Sequence, residues 1–246
     1  MNVMLDEKEI LGIETRLANR ERLSNDGILD FVLYCNAPLR ILWVLKQEVD
    51  NGLAAPDEKL GADWKKYYPR GICNDAKASK LIKSKTWGNM AIASHMLLND
   101  CTFEKAKNDG EWQCATSLLA TAIIEILKEP GGSRTTFSAL KSGFNAYCEL
   151  LEKQVNAYKP DVVVLCAGEQ KVKQIAEIIK DKWLHCGDWN WTQKSKKGNA
   201  VCDFAKNEKK GVTFIWTSHP EDPKFFPSPS EEYCSAIREA VYTHGK

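Results

Sequence analysis

The hydrophobic positions of this chain fall into two kinds of run. Four are short and nearly continuous: Ile41–Leu45, Leu118–Leu127, Val162–Gly168 and Val212–Trp216. Unbroken apolar runs rich in branched side chains suit strands buried on both faces of a parallel sheet. The second run fits a helix or a strand equally well by periodicity. Each run gives way to polar or Gly/Pro chemistry, at Lys46–Gly52, Lys128–Thr136, Gly168–Gln170 and Thr217–Pro229. Other apolar residues recur at helical spacing. They predict mostly helix over 4–36 and helices over 83–98, 138–158, 171–183 and 230–242. The segments 51–69 and 185–211 read as irregular, with turn residues spread through both.

Strands alternating with helices, each strand ending in a polar or Gly/Pro loop, predict a three-layer α/β/α domain with a short, mainly parallel central sheet. One domain over 1–246 accommodates them, with the N-terminal helices (4–36) packed on it. Open α/β sheets place their ligands at the carboxyl ends of the strands, so the four polar exits are where function is sought.

Composition narrows the function classes. The chain has 246 residues and a formal net charge of +1, so no general basic field exists and any nucleic-acid contact must be local. Nine cysteines occur without a C-x-x-C pair, which argues against a zinc ribbon or an iron–sulfur loop. The apolar settings of several, such as Cys35 and Cys166, suggest reduced thiols and an intracellular protein, cytoplasmic or nuclear. No signal peptide and no apolar run near the ~20 residues of a membrane span are evident, so no membrane partner is expected.

The strand exits deliver Gln47, Glu48 and Asn51 after the first run, Glu125 within the second, Ser133 and Arg134 beyond it, and His219 after the last. Pro130-Gly131-Gly132-Ser133-Arg134 could cradle a phosphate through backbone N–H groups, with Arg134 adding charge. It lacks the Gly-Lys-Ser/Thr of a nucleotide P-loop, and a plain helix-entry turn capped by Thr135 or Thr136 is the other reading. Trp189 and Trp191 beside Lys194 and Lys196 combine aromatics with cations, as a single-strand-binding surface does, though a solvated loop has the same composition. Phe225 and Phe226 follow His219 and offer either an apolar wedge or core cover.

In order along the chain, Lys46-Gln47-Glu48-Val49, Pro160-Asp161-Val162-Val163-Val164-Leu165-Cys166-Ala167-Gly168 and His219-Pro220 resemble the motifs of the uracil-DNA glycosylase superfamily over about residues 38–220. Lys46 and Val49 stand where one branch of that family has the glycine and proline of Gly-Gln-Asp-Pro. Glu125 stands where many members carry an asparagine, and the serine that follows His-Pro is missing. The resemblance implies a DNA base glycosylase working without a metal or redox cofactor, as a monomer on single- or double-stranded DNA. Glu48 and His219 would be catalytic, and Gln47, Glu125 and Asn51 would hold the base. Arg134, Ser133, Phe225, Phe226, Lys194 and Lys196 would hold DNA. An ionised carboxylate at Glu125 only accepts hydrogen bonds, so ordinary uracil is not the expected substrate. Two other readings remain: a non-catalytic nucleic-acid-binding module of the same fold, and a flavodoxin-like domain binding a small phosphorylated ligand.

Overall fold

The structure, a computed structural model, describes residues 5–18, 26–49, 75–131, 136–167, 173–179, 183, 193–207, 211–220, 222 and 229–242. From the amino terminus these form α1 (Glu7–Ala18), β1 (Gly27–Ile28), α2 (Phe31–Asn36), β2 (Ile41–Val49) and α3 (Asp75–Lys83). There follow α4 (Lys85–Leu98), α5 (Phe103–Asp109), α6 (Glu111–Leu119), β3 (Ala122–Gly131) and α7 (Phe137–Tyr158). The last third adds β4 (Val162–Cys166), α8 (Lys173–Ile178), β5 (Gln193–Lys197), β6 (Ala200–Asn207), β7 (Val212–Thr217) and α9 (Glu231–Tyr242).

The strands make one sheet in the order β1-β3-β2-β4-β7-β6-β5. Its centre, β3-β2-β4-β7, is parallel; β1 joins one edge antiparallel, and β6 and β5 extend the other as an antiparallel ladder. The three-layer α/β/α architecture expected from the sequence is therefore present. Because β2 is apolar at every position from Ile41 to Leu45, alternate side chains enter different cores. Ile41, Trp43 and Leu45 pack with Met90 and Met96 of α4 and Tyr233 and Ile237 of α9. Leu42 and Val44 pack with Ile10 of α1 and Phe144 and Leu151 of α7. Each such large side chain contributes about 1.5–3 kcal/mol on burial, so both helical layers are bound to the same strand.

The chain passes from β2 to β3 through α3–α6 on the first face, and from β3 to β4 through α7 on the second. Leaving β4, the chain enters α8, whose Ile175 and Ala176 lie in the second core, so neighbouring strands β2 and β4 send their connections to opposite sides. That divergence is the topological switch point, where a crevice opens outside the carboxyl ends. At the opposite edge the same two strands are clamped. Arg40 Nε and Nη2 donate to both oxygens of Asp161, at 3.0 and 2.8 Å, and the Asp161 N–H returns to the Arg40 carbonyl at 2.8 Å.

Several elements depart from the sequence pattern. β2 does not end at Leu45 but continues through Lys46-Gln47-Glu48 to Val49, because pairing with β3 supplies partners for a polar backbone. The Leu118–Leu127 run is two elements. The Thr121 hydroxyl donates to the Leu118 carbonyl at 2.7 Å, ending α6 before β3 begins. The stretch expected to be irregular over 185–211 contains the β5–β6 hairpin, turned by Gly198 at φ 53°. The mostly helical stretch 4–36 contains the short β1, and α3, α5 and α6 have no counterpart in the pattern. The loop expected over 51–69 lies outside the described residues. Helix α7 begins as one of the two readings expected: Thr136 Oγ1 accepts from the Ala139 N–H at 3.2 Å.

One buried ionic group fixes the β1 edge. Lys128, on β3, is fully buried and meets Asp26 Oδ2 at 2.5 Å. Asp26 also accepts from the Glu125 N–H at 2.6 Å and from Gln154 Nε2 at 3.1 Å, so its carboxylate is well satisfied. Removing the charge on one side leaves the other uncompensated in the core. Asp26→Asn is expected to lower unfolding stability by about 3–5 kcal/mol in urea titration. Asp161→Ala, at the partly exposed clamp, should cost only about 1–2 kcal/mol.

Candidate functional site at the carboxyl edge of the sheet

Four parallel strands bring their carboxyl ends to one edge, and β2 and β4 open the switch point between them. On β2, Gln47 pairs with Leu127 and Val49 with Gly131, so between these rungs one residue of β2 stands against three of β3, Lys128–Pro130. Glu48 falls in that break. Pro130 accounts for it, since a proline has no N–H to give the ladder and is confined to edges and bulges. Bulges of this kind re-aim side chains beside functional sites.

At the other side of β4, the last strand carries the chain to His219, two residues past Thr217. The backbone here is held from two helices. Asn89, fully buried on α4, donates to the Pro220 carbonyl at 2.8 Å and accepts from the Ser230 N–H at 2.6 Å. Tyr233 on α9 donates to the Ser218 carbonyl at 3.4 Å. A buried amide with both ends used is a rigid staple, because freeing either end would strand a polar group in the core. It bridges the two ends of the segment 220–230.

His219 is half-buried, and its imidazole is pushed down to about 4, first by burial, then by the nearby positive charge of Lys46, against a smaller pull from Asp222. At neutral pH it is therefore an uncharged ring, able to donate one N–H. Strands β2 and β7 flank β4, so Lys46 on the one bears on His219 at the end of the other. A neutral donor beside a fixed cation suits the stabilisation of negative charge on an oxygen or nitrogen.

The sequence-derived candidates divide as follows. Gln47 and Glu48 lie on the end of β2, at the switch point. Glu125 is buried and pairs with Leu45, two residues short of the Gln47–Leu127 rung, so it sits inside the sheet rather than at its rim. Lys194 and Lys196 lie on β5, whose hairpin tip reaches the same edge of the sheet as His219: Asn199 N–H donates to Glu232 at the start of α9, at 2.8 Å. Two strand spacings, roughly 10 Å, separate β5 from β7. Lys196 is exposed there; lysines on a solvent-facing outer strand also guard the edge against pairing. Asn51, Ser133, Arg134, Phe225 and Phe226 lie outside the described residues. Reading the sequence missed Lys46 as an electrostatic partner, and Asn89 and Tyr233 as positioning residues. Asn89 did leave a signal: an amide inside the apolar stretch of a helix must find partners.

The sign of the His219 effect gives a test. Its folded-state value lies below the ordinary 6.5, so between about pH 6.5 and 4 the unfolded chain binds a proton that the folded chain does not. Stability is then undiminished above pH 6.5 and falls as pH drops through that window. In His219→Gln this part of the loss should disappear, measured as the pH dependence of the urea midpoint. A histidine NMR titration should place the His219 ring near 4.

Among the described residues, no helix is long and apolar enough to cross a membrane. Compared with models of known protein families and with curated proteins, the sequence matches none.

Proposed function

We propose that this protein hydrolyses the N-glycosidic bond of a damaged or modified base in DNA. The observation that carries the reading is that a neutral His219 at the end of β7 feels the charge of Lys46 on β2, the strand whose end carries Gln47 and Glu48. Cleaving such a bond builds positive charge on the sugar and negative charge on the departing base. A carboxylate at Glu48 stabilises the first and orients the attacking water. An imidazole N–H at His219 meets the second, and its low proton affinity keeps it a donor without a full charge to neutralise. Lys46 adds a cation to the same side of the reaction. The base must first be drawn out of a duplex, at a cost of a few kcal/mol that is smallest for damaged or unpaired bases. Lys196, at the neighbouring hairpin, offers a backbone phosphate contact on the same edge.

The experiment is a panel of oligonucleotides carrying modified bases, read for alkali-labile abasic sites and for bound complex. Base release from at least one of them is expected, and Glu48→Gln and His219→Ala should each reduce it by about 100-fold or more with the fold intact. Unchanged rates in both variants end the proposal. Salt-sensitive binding without abasic product would point instead to a non-catalytic DNA-binding module.

Uracil is proposed not to be the preferred base: although Glu125 sits two residues inside the Gln47–Leu127 rung, a base edge that reached it would meet a carboxylate, which only accepts hydrogen bonds. Efficient uracil release that is unaffected by Glu125→Asn overturns that part alone.

A second reading rests on the strand order. In the parallel part of the sheet the second strand precedes the first, third and fourth, which is the flavodoxin-like order. Such sheets hold small phosphorylated ligands at this switch point. Absence of any DNA affinity in the same experiment would favour it.

A further inference from the structure

Away from the carboxyl edge, three side chains of different chemistry meet where α4 hands over to α5. His95 lies in the last turn of α4, Cys101 in the connection, and Asp109 at the end of α5. A ring nitrogen, the thiol sulfur and a carboxylate oxygen from these residues all lie within 4.8 Å of one another. The imidazole is buried, while the thiol and carboxylate are half-exposed, so the group is anchored on one side and reachable on the other. We propose that His95, Cys101 and Asp109 bind one Zn²⁺ ion, with water in the fourth position.

The donor set is the first argument. Thiolate, imidazole and carboxylate are the three ligand types zinc takes from proteins, and three of them with one open place form a recognised coordination pattern. Bond lengths of about 2.0–2.3 Å set the ligand atoms of a tetrahedral site roughly 3.3–3.8 Å apart. Side-chain rotations of about an ångström close the present group to that size.

Hydrogen bonding of the histidine is the second argument. His95 Nδ1 lies 2.9 Å from Ser117 Oγ on α6, and the Ser117 hydroxyl donates to the Gln113 carbonyl at 3.0 Å. With its hydrogen directed there, the serine oxygen receives Nδ1–H. Asn99 Nδ2 gives one of its two hydrogens to the His95 carbonyl at 2.9 Å; the other has only a longer contact, 3.3 Å, to Nδ1, so the shorter Ser117 contact sets the tautomer. The other nitrogen, Nε2, faces Asp109 Oδ2 at 3.0 Å. With Nδ1 committed as a donor, Nε2 and the carboxylate share either a proton or a metal ion between them. A ligating histidine that donates its far N–H to a fixed oxygen is the usual outer-shell arrangement of a metal site. The same hydrogen bond argues against Ser117 as a nucleophile, because its proton is spent on Gln113 rather than offered to the imidazole. Asp109 also pairs with Lys105, an exposed i,i+4 contact that costs little to surrender.

Position decides what the ion does. Asn89 in the first half of α4 meets Pro220 at the carboxyl edge, whereas the Leu97 carbonyl at the far end accepts from Tyr242, the last residue of α9. The metal group therefore lies toward the opposite end of α4 from His219. It acts as a clip joining α4 to α5, with α6 supplying the outer-shell serine, and takes no part in chemistry at the strand ends. Single ligands separated by five and seven residues form no paired motif, which is why the cysteine spacing carried no metal signal.

The test uses the full chain, stripped of metal and titrated with Co²⁺ and then Zn²⁺. One equivalent of cobalt should produce a thiolate-to-cobalt charge-transfer band that zinc abolishes. Cys101→Ser should remove the band, while Cys148→Ser, a control at another half-exposed cysteine, should keep it. Ser117→Ala should retain the site but weaken zinc affinity by about 10–100-fold. Zinc should raise the thermal midpoint of the native sequence and leave Asp109→Asn unmoved, with circular dichroism of the metal-free variants reporting an intact fold. Sub-stoichiometric binding, or a full band in Cys101→Ser, overturns the proposal. These readouts are metal content and spectra, so they stand or fall separately from base release.

Discussion

A parallel sheet that is apolar on both faces has to be covered on both faces, and this requirement organises the molecule. In β2 every residue from Ile41 to Leu45 is buried, with odd positions committed to one core and even positions to the other. Neither helical layer can be lost without exposing half of the strand. The layers are supplied by crossovers, and the crossovers from β2 and β4 leave in opposite directions. The crevice at the carboxyl edge is a by-product of that divergence, not a separate construction.

Polar groups buried within this frame do a different job. Asp26 with Lys128 and Asn89 with Pro220 and Ser230, both buried, and the partly exposed Arg40 with Asp161 each join segments far apart in sequence. Their net contribution to stability over apolar substitutes is small, since desolvation offsets most of the attraction. Their contribution to register is larger, because a slipped arrangement would leave a charge or an amide unpaired in the core. The neutral state of His219 comes from the same source. Burial that protects the fold also disfavours its protonation, and Lys46 adds to the effect.

The two ends of the sheet are thereby specialised. The amino edge is closed by the bidentate Arg40–Asp161 clamp, while the carboxyl edge carries the register break at Glu48, the stapled turn after His219 and the hairpin with Lys196. Helix α4 spans the distance between the ends, touching the site through Asn89 and the remote His95 group through its last turn.

The central strands were legible because their signal is local: a strand buried on both faces needs a continuous apolar run, and those runs stand out in the chain. The same signal was ambiguous at Leu118–Leu127, where a buried helix end and a buried strand start are equally apolar and the Thr121 hydroxyl marks the join. It also stopped too early at Leu45, since Lys46–Val49 is extended by ladder partners on β3 rather than by its own composition. The hairpin at 193–207 went unread because its outer strand is a run of polar residues, Gln193–Lys197, held by pairing with β6.

The site divides along the same line. That His219 follows a strand and that Gln47–Glu48 stand near the end of one was set by the sequence, because strand ends are local features. That β7 and β2 flank β4 at one edge, that Lys46 bears on His219, and that Glu125 lies inside the sheet opposite Leu45 were decided by tertiary structure. Strand order and register depend on which crossovers pack where, and on contacts between residues far apart in the chain. No local pattern encodes those distances.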